Sequence, residues 1–499
     1  MLINKQNKTD FIICAELFLI AFAIIFASSY SPFAFRRMHV DSSVYMTIAQ
    51  GITRGQLPYV DFVDNKGPLA YLLSVPGLLL GKFTGVWVTE LIFMYISVFF
   101  AYKTALFFSN KFCALLGMTC AFVESYSFFS VSAGTEEYSL PFLMASFYIF
   151  TKYYFSFSLE RSISLVKLII LGACFACAVL IKLNMFPLWA GFCVIIFIES
   201  IMKRRFAALG KYIFGFCAGI IIIAIPVLLY LKLNGILDGF FYQVIQGGAA
   251  QGFSSASSIK QIVKNFVVVL DRGYSIIPLL MGIFWIITKY KHHNFLFYIG
   301  YTFSYILTLL FLSLSSGDDH YNFVLIPFFI PAITFIIETI YSAFSEVRKK
   351  KAALVLFLCV LCSKGMLNWF YDATKGIFDD SGKWLINAGR MIDENTNPDD
   401  KIISLGINGY IYPFTERKAA SKYIYQGSGL DHFPGARKEF LSDILTSKPA
   451  IIAIFSADDL RYDYLPAWYQ PVYELIDEEY RLLSDENGYY LFIRKDPES

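Results

Sequence analysis

The feature that most constrains this chain is a series of eleven apolar runs, each close to the roughly 20 residues that a helix needs to cross a bilayer core of about 30 Å. They lie near residues 11–30, 86–108, 112–131, 139–156, 166–182, 186–202, 212–231, 274–288, 294–314, 322–341 and 352–369. Globular cores cannot hide so much apolar surface. Of 499 residues, 57% are hydrophobic and 16% charged, where an average soluble chain carries about a quarter charged residues. The pattern predicts a mainly α, polytopic membrane protein. The first run follows Lys5 and Lys8 and exceeds an ordinary signal-peptide core, so it reads as a retained anchor. A twelfth stretch, 68–82, is shorter and interrupted by Pro76 and Gly77, which suits a half-inserted or surface-lying segment.

Cytoplasmic loops collect Lys and Arg, and this orients the chain. With eleven spans, the loops on the N-terminal side hold 15 basic residues in 44 positions, against 10 in 115 on the opposite side. Counting 68–82 as a span would invert every later loop and put Lys203-Arg204-Arg205 outside. The N-terminus is therefore expected in the cytoplasm and the C-terminal tail outside, at the inner or plasma membrane of the cell. The overall charge of +3 hides a split. Residues 370–499 carry a net of −8 and residues 1–369 a net of +11, so two domains are expected, 1–369 in the membrane and 370–499 outside it. In the tail, 401–406, 449–455 and 488–495 read as strands and 383–394 and 436–446 as helices, a small α/β domain without a phosphate-binding glycine motif.

All nine cysteines fall inside apolar runs, so neither a disulfide framework nor a zinc site is implied. Cys174 and Cys177 have CxxC spacing but lack the exposed electropositive setting of redox thiols. Glu16 and Glu124 are the deep acids of the spans, whereas Glu90, Lys152, Glu199 and Glu338 lie within snorkelling reach of an end. No nucleic-acid partner is expected.

This topology gathers the unusual polar residues on the outer side. The first outer loop runs His39-Val40-Asp41-Ser42-Ser43-Val44-Tyr45, then Gly55-Gln56-Leu57-Pro58-Tyr59-Val60-Asp61-Phe62-Val63-Asp64-Asn65-Lys66-Gly67-Pro68. Read residue by residue it has a plain explanation: Asp41 caps an amphipathic helix and Asp61, Asp64, Gly67 and Pro68 are turn residues. The second outer loop is Gly134-Thr135-Glu136-Glu137-Tyr138, and further out lie Lys182 at a helix end and an Asp319-His320-Tyr321 turn.

As a combination, residues 41–72 (DSSVYMTIAQGITRGQLPYVDFVDNKGPLAYL) strongly resemble the first periplasmic loop of GT-C glycosyltransferases of the protein mannosyltransferase and aminoarabinose transferase type (glycosyltransferase family 39-like). The GTEEYSLPF loop is similar to that family's second acidic loop, and Lys182, the 319–321 turn and an outward tail also fit. The resemblance implies a GT-C fold and an inverting transferase with no certain cofactor. It would move a monosaccharide from a polyprenyl phosphate to a hydroxyl of a glycan, lipid or protein acceptor at the outer face. By resemblance Asp41 is the base and Lys66 the phosphate contact, with Arg36, Arg37 and Arg54 as further anion contacts. Glu136 and Glu137 would support the acceptor, the base or a divalent cation. Tyr45, Tyr59, Asp61, Asp64, Lys182, His320, Tyr321 and Arg417 are substrate-binding candidates, Arg417 as part of a basic-aromatic patch with Lys418, Lys422, Tyr423 and Tyr425. Elementary chemistry asks for the same groups: a phosphate ester leaves as an anion and needs cations, while the acceptor hydroxyl needs a base. The rival reading is a lipid or glycan transporter, whose repeated halves and mid-membrane charges the sequence does not show.

Overall fold

The computed structural model describes all residues except 1–4, 36–37, 127–131, 157–161, 249, 251–257, 291–293, 315–318, 345, 379–380, 407–408, 428–429, 431–432, 456–466, 487–488 and 496–499. The apolar runs lie on helices: Lys5–Phe26, Val75–Ala105, Lys111–Ser125, Thr135–Phe155, Leu165–Ile181, Pro187–Met202, Phe206–Leu233, Ile276–Ile287, Phe295–Ser313, Ile326–Ala343 and Val347–Phe378. Among the described residues, five stretches are by themselves long and apolar enough to cross a membrane: Val75–Ala105, Phe206–Leu233, Phe295–Ser313, Asp319–Ala343 and Val347–Phe378. The chain is a multi-pass membrane protein. It groups into two compact units. One takes in Met1–Ser28, Trp87–Tyr230 and Gly252–Thr374, and the other Ser29–Val86, Leu231–Gln251 and Lys375–Ser499.

In the first unit, helices approach closely where the sequence supplies glycine. A Cβ on Gly172 would lie 1.9 Å from the Phe216 carbonyl oxygen, and one on Gly219 2.0 Å from that of Ile169, so Leu165–Ile181 and Phe206–Leu233 meet backbone to backbone. In lipid, where burying apolar surface between helices gains little, such packing holds helices together. Aromatic rings fill much of the remainder. Phe150 stacks on Phe192 with centroids 4.8 Å apart, and the buried Tyr301 hydroxyl donates to the Phe328 carbonyl at 2.7 Å. Asn110 caps Lys111–Ser125 by accepting from the Phe112 and Cys113 N–H groups, which would otherwise lack partners. Glu90 and Glu199 depart from the snorkelling expectation. Both are buried, because Ser28 donates its hydroxyl to Glu90 at 2.7 Å and Lys203 pairs with Glu199 at 2.5 Å.

The second unit is built from the first loop and the tail. The loop forms a helix over Val40–Thr53, a turn-rich stretch and a short helix over Leu69–Leu72. Within 68–82 the break does not fall at Pro76 and Gly77. Pro76 occupies the first turn of Val75–Ala105, where no helical N–H is lost, and the backbone turns instead at Gly81 and at Lys82, whose φ is 52°. Gly77 and Gly85 let the two arms pass, since a Cβ on Gly77 would lie 2.6 Å from the Gly85 carbonyl oxygen and one on Gly85 1.9 Å from that of Gly77.

The tail carries a five-stranded sheet with β1 (Lys401–Leu405), β2 (Lys418–Ala419), β3 (Ile451–Phe455), β4 (Tyr480–Ser484) and β5 (Tyr489–Arg494) in the order β2-β1-β3-β5-β4. β1 runs parallel to β2 and β3, while β5 is antiparallel to β3 and β4. The near-continuous apolar letters of β1 and β3 fit a parallel pair covered on both faces. Ile403, Ile452, Phe440, Ile444, Val472 and Ile476 form their core. Strands β1, β3 and β5 and the helices Ser381–Glu394 and Ala436–Ser447 stand where the sequence places them. The short β2, β4 and the helix Gln470–Glu479 are additional. Loop and tail are tied by hydrogen bonds from the Val63 N–H to the Lys422 carbonyl at 3.0 Å and from the Gln50 amide to the Pro413 carbonyl at 2.9 Å, and by Phe414 packing on Phe35 and Phe83.

Candidate active site

Asp41 lies in the first turn of Val40–Thr53, and His39, not Asp41, holds the N-cap position. The plain capping explanation therefore does not account for Asp41. One helical turn on, the Tyr45 hydroxyl donates to its Oδ2 at 3.3 Å. Tyr45 also stands beside Lys66, whose Nζ is 5.8 Å from the ring centre, so a carboxylate and an ammonium flank one aromatic ring. Lys66 is positioned by the turn before Leu69–Leu72. Its Nζ donates to the Asn65 side-chain oxygen at 2.7 Å and stays 4.0 Å from Asp64.

A network of buried groups fixes this turn. Tyr71 donates to Asp64 at 2.7 Å, and burial, followed by the Asp64 charge, holds its hydroxyl well above the ordinary phenol range. Tyr59, at φ 66°, donates to the Lys66 carbonyl at 2.8 Å. Gln243 joins the network from a distant part of the chain: its oxygen accepts from the Asp64 N–H at 3.1 Å and its amide donates to the Tyr59 carbonyl at 2.9 Å. Tyr71, Asn65 and Gln243 were not among the sequence candidates. Tyr71 stands inside the quoted motif, but nothing in the local pattern around Gln243 marks it.

The other candidates are placed differently. Asp61 is exposed and accepts from the Leu57 N–H at 2.6 Å, an ordinary turn closure. Arg54 reaches the Thr415 carbonyl and pairs with Glu416 at 2.9 Å, away from the Tyr45 ring. Arg417 is a structural clamp: buried, it donates to the Thr396 hydroxyl and to the Asp393 and Thr396 carbonyls, each at 2.8 Å. That removes it from the expected basic-aromatic patch, because its donors are turned into the fold. Arg36 and Arg37 lie outside the described residues.

The first unit brings together a second group. Lys182 Nζ donates to Glu136 Oε1 at 2.6 Å and lies 3.9 Å from the Tyr321 ring centre, with the His320 ring 4.2 Å from that of Tyr321. Burial alone would raise the Glu136 carboxyl, but the Lys182 and His320 charges outweigh it and hold the group below its ordinary value. Glu137 faces the other way, accepting from the Ser132 and Gly134 N–H groups at 3.0 and 3.2 Å and so closing the start of Thr135–Phe155. Burial pushes its carboxyl up to about 7 against those hydrogen bonds. The oxygens of both glutamates thus already accept from protein donors, the second Glu136 oxygen from Thr135, which a divalent cation would have to displace. Among the described residues no group of three or more His, Cys, Asp and Glu side chains comes together as a metal site.

This architecture is the GT-C fold. Over 99% of both chains it matches, with a TM-score of 0.62 and 10% identity, the crystal structure of ArnT from Cupriavidus metallidurans bound to undecaprenyl phosphate. It also matches the archaeal oligosaccharyltransferase AglB from Archaeoglobus fulgidus, in complex with an inhibitory peptide and a dolichol-phosphate, with a TM-score of 0.53 and 11% identity over 97% of this chain and 74% of that one. By sequence, the chain belongs to the family of the competence-induced protein Ccs4 N-terminal domain, whose family model matches residues 4–369. No curated protein matches it.

Proposed function

We propose that this protein transfers a monosaccharide from a polyprenyl-phosphate donor to a hydroxyl of a cell-envelope acceptor at the outer face of the membrane, with inversion at the sugar. The observation that carries this reading is the Asp41, Tyr45 and Lys66 arrangement in a chain of GT-C fold. ArnT in its undecaprenyl phosphate complex and AglB in its dolichol-phosphate complex support the lipid-phosphate class of donor.

Asp41 takes the proton of the acceptor hydroxyl. The freed oxygen lone pair forms the new bond to the anomeric carbon, and the bond from that carbon to the phosphate oxygen breaks, its electrons leaving with the phosphate. Lys66 meets the charge that collects on that leaving group, and Tyr45 holds base and cation apart. No step requires a strong general acid, because a phosphate is a good leaving group once its charge is met. In this reading the N-terminus is cytoplasmic and the tail extracytoplasmic.

The test is transfer by purified protein in detergent from a labelled polyprenyl-phosphate sugar to an envelope extract. Labelled acceptor formed without vesicles is the expected result and is impossible for a pure transporter. Absence of transfer, with the same protein moving the lipid across reconstituted vesicles, would replace this reading with the transporter.

A further inference from the structure

Within the second unit, the first-loop turn and the edge of the tail sheet border an open cleft of about 510 Å³. Arg54 and Asp61 line it from the loop, and Lys401, Lys418, Lys422 and Asp443 from the tail. Most of these charges are already answered within the fold. Arg54 pairs with Glu416 at 2.9 Å and Lys422 with Glu439 at 2.7 Å, while Asp443 accepts from the Ser421 hydroxyl at 2.7 Å. Two cations are not. Lys401 and Lys418 are exposed, and neither forms an ion pair or a side-chain hydrogen bond among the described residues.

Their placement is set by the sheet. Lys401 and Lys418 are register partners of the parallel β1 and β2 pair, so their Cα atoms are about 4.8 Å apart and their side chains leave the same face. Two ammonium groups side by side repel, and one anionic group between them both relieves the repulsion and accepts charge-assisted hydrogen bonds. The carboxylates of Asp61 and Asp443 shape the rest of the specificity. They disfavour a polyanion but retain lone pairs for hydroxyl donors. A neutral lipid tail has no partner in so polar a lining.

We propose that this cleft binds an acidic saccharide unit, its carboxylate or phosphate held between Lys401 and Lys418 and its hydroxyls by Asp61 and Asp443. The site deepens the glycosyl-transfer reading and rests on it for one point, that the saccharide belongs to the acceptor. The tail then selects the acceptor by one negative charge in a hydroxyl-rich frame.

The experiment uses the full chain in detergent, titrated with galacturonate, which carries a single carboxylate, with mannose 6-phosphate and with neutral maltotriose. It compares wild type with a Lys401→Gln/Lys418→Gln double variant and with the charge-preserving Lys401→Arg/Lys418→Arg variant. Saturable binding of an acidic probe is expected, with no saturation by maltotriose, a tenfold or greater loss in the Gln variant and retention in the Arg variant. Whether galacturonate or mannose 6-phosphate binds identifies the anion as carboxylate or phosphate. Saturation by neither acidic probe, or equal binding by the Gln variant, overturns the site. Binding of polyprenyl phosphate, measured in parallel, separates the two readings. If it is absent while the acidic probe behaves as expected, the cleft stands and the lipid-phosphate donor falls. If transfer proceeds and the acceptor KM is unchanged in the Gln variant, the acceptor assignment falls.

Discussion

Each unit of this protein pairs a carboxylate with a lysine beside a tyrosine ring, yet the two lysines are in opposite condition. Lys182 is spent on Glu136 at 2.6 Å, with both side chains largely shielded at 11% and 3% exposure. Lys66 makes its short bond to a neutral amide and keeps 4.0 Å from Asp64. A buried pair of the first kind fixes geometry: neither member is at liberty to answer new charge, and removing one strands the other in a low dielectric. Lys66, whose ion pair with Asp64 is the longer of the two, is the less committed lysine and the one placed to meet an incoming anion. The contrast separates two tasks that look identical as letters in the sequence, holding a fold together and stabilising charge that appears during a reaction.

The strongest way to break that contrast is Asp41→Asn, which keeps size and polarity and removes only the base. Transfer in detergent should fall by about 10²–10⁴, with little change in unfolding temperature. Turnover near wild type would detach the chemistry from the first loop. For the first-unit pair the expected losses are in stability. Lys182→Met should cost up to about 3–5 kcal/mol by leaving Glu136 buried with only Thr135 and His320 to answer its charge, and the Glu136→Gln/Lys182→Met double variant should recover most of it. Thermal unfolding of the single and double variants measures this, and equal destabilisation of both would contradict a mutual pair.

Glu137 sharpens the comparison through pH. Its carboxyl sits at about 7 in the fold against an ordinary 4.5, so the folded state holds that proton more tightly than the unfolded chain. The resulting stability is complete below about pH 4.5 and is lost as pH rises through 7, a change on the order of 3 kcal/mol. Unfolding temperature followed across that window should decline more in wild type than in Glu137→Gln. Parallel curves would remove Glu137 as the source. The smallest effect belongs to Arg54, whose Glu416 partner is 67% exposed. Arg54→Ala should lower stability by no more than about 1 kcal/mol and leave donor affinity unchanged, and weaker polyprenyl-phosphate binding would return Arg54 to the phosphate.

The helices were legible because crossing a bilayer demands apolar runs of a fixed length, and three of the five tail strands because short runs of β-branched or aromatic letters have few other uses. What escaped reading depends on distance in sequence. Gln243 acquires its role from Tyr59 and Asp64, 184 and 179 residues earlier, and its local letters, FYQVIQ, carry no trace of it. Arg417 misled for a related reason: beside Lys418 and Lys422 it reads as one patch, but its side chain turns inward to Thr396 and Asp393 while Lys418 stays exposed. β2, with two residues, is too short for any periodicity to declare itself. The 41–72 motif stood out because it packs a helix start, two turns and a lysine into one contiguous stretch, so its chemistry is local.

The bonds between the first loop and the tail set a timetable for the ribosome. The loop is complete once residue 86 is made, but the segment it pairs with begins at residue 375. At about 5–20 residues per second, synthesis of the intervening chain takes roughly 15–60 s. For that interval the Val63 N–H, the Gln50 amide and the face of Phe35 await Lys422, Pro413 and Phe414. A nascent chain therefore cannot finish this unit early, and any stop codon before the tail yields a membrane protein whose first loop never receives its closing contacts.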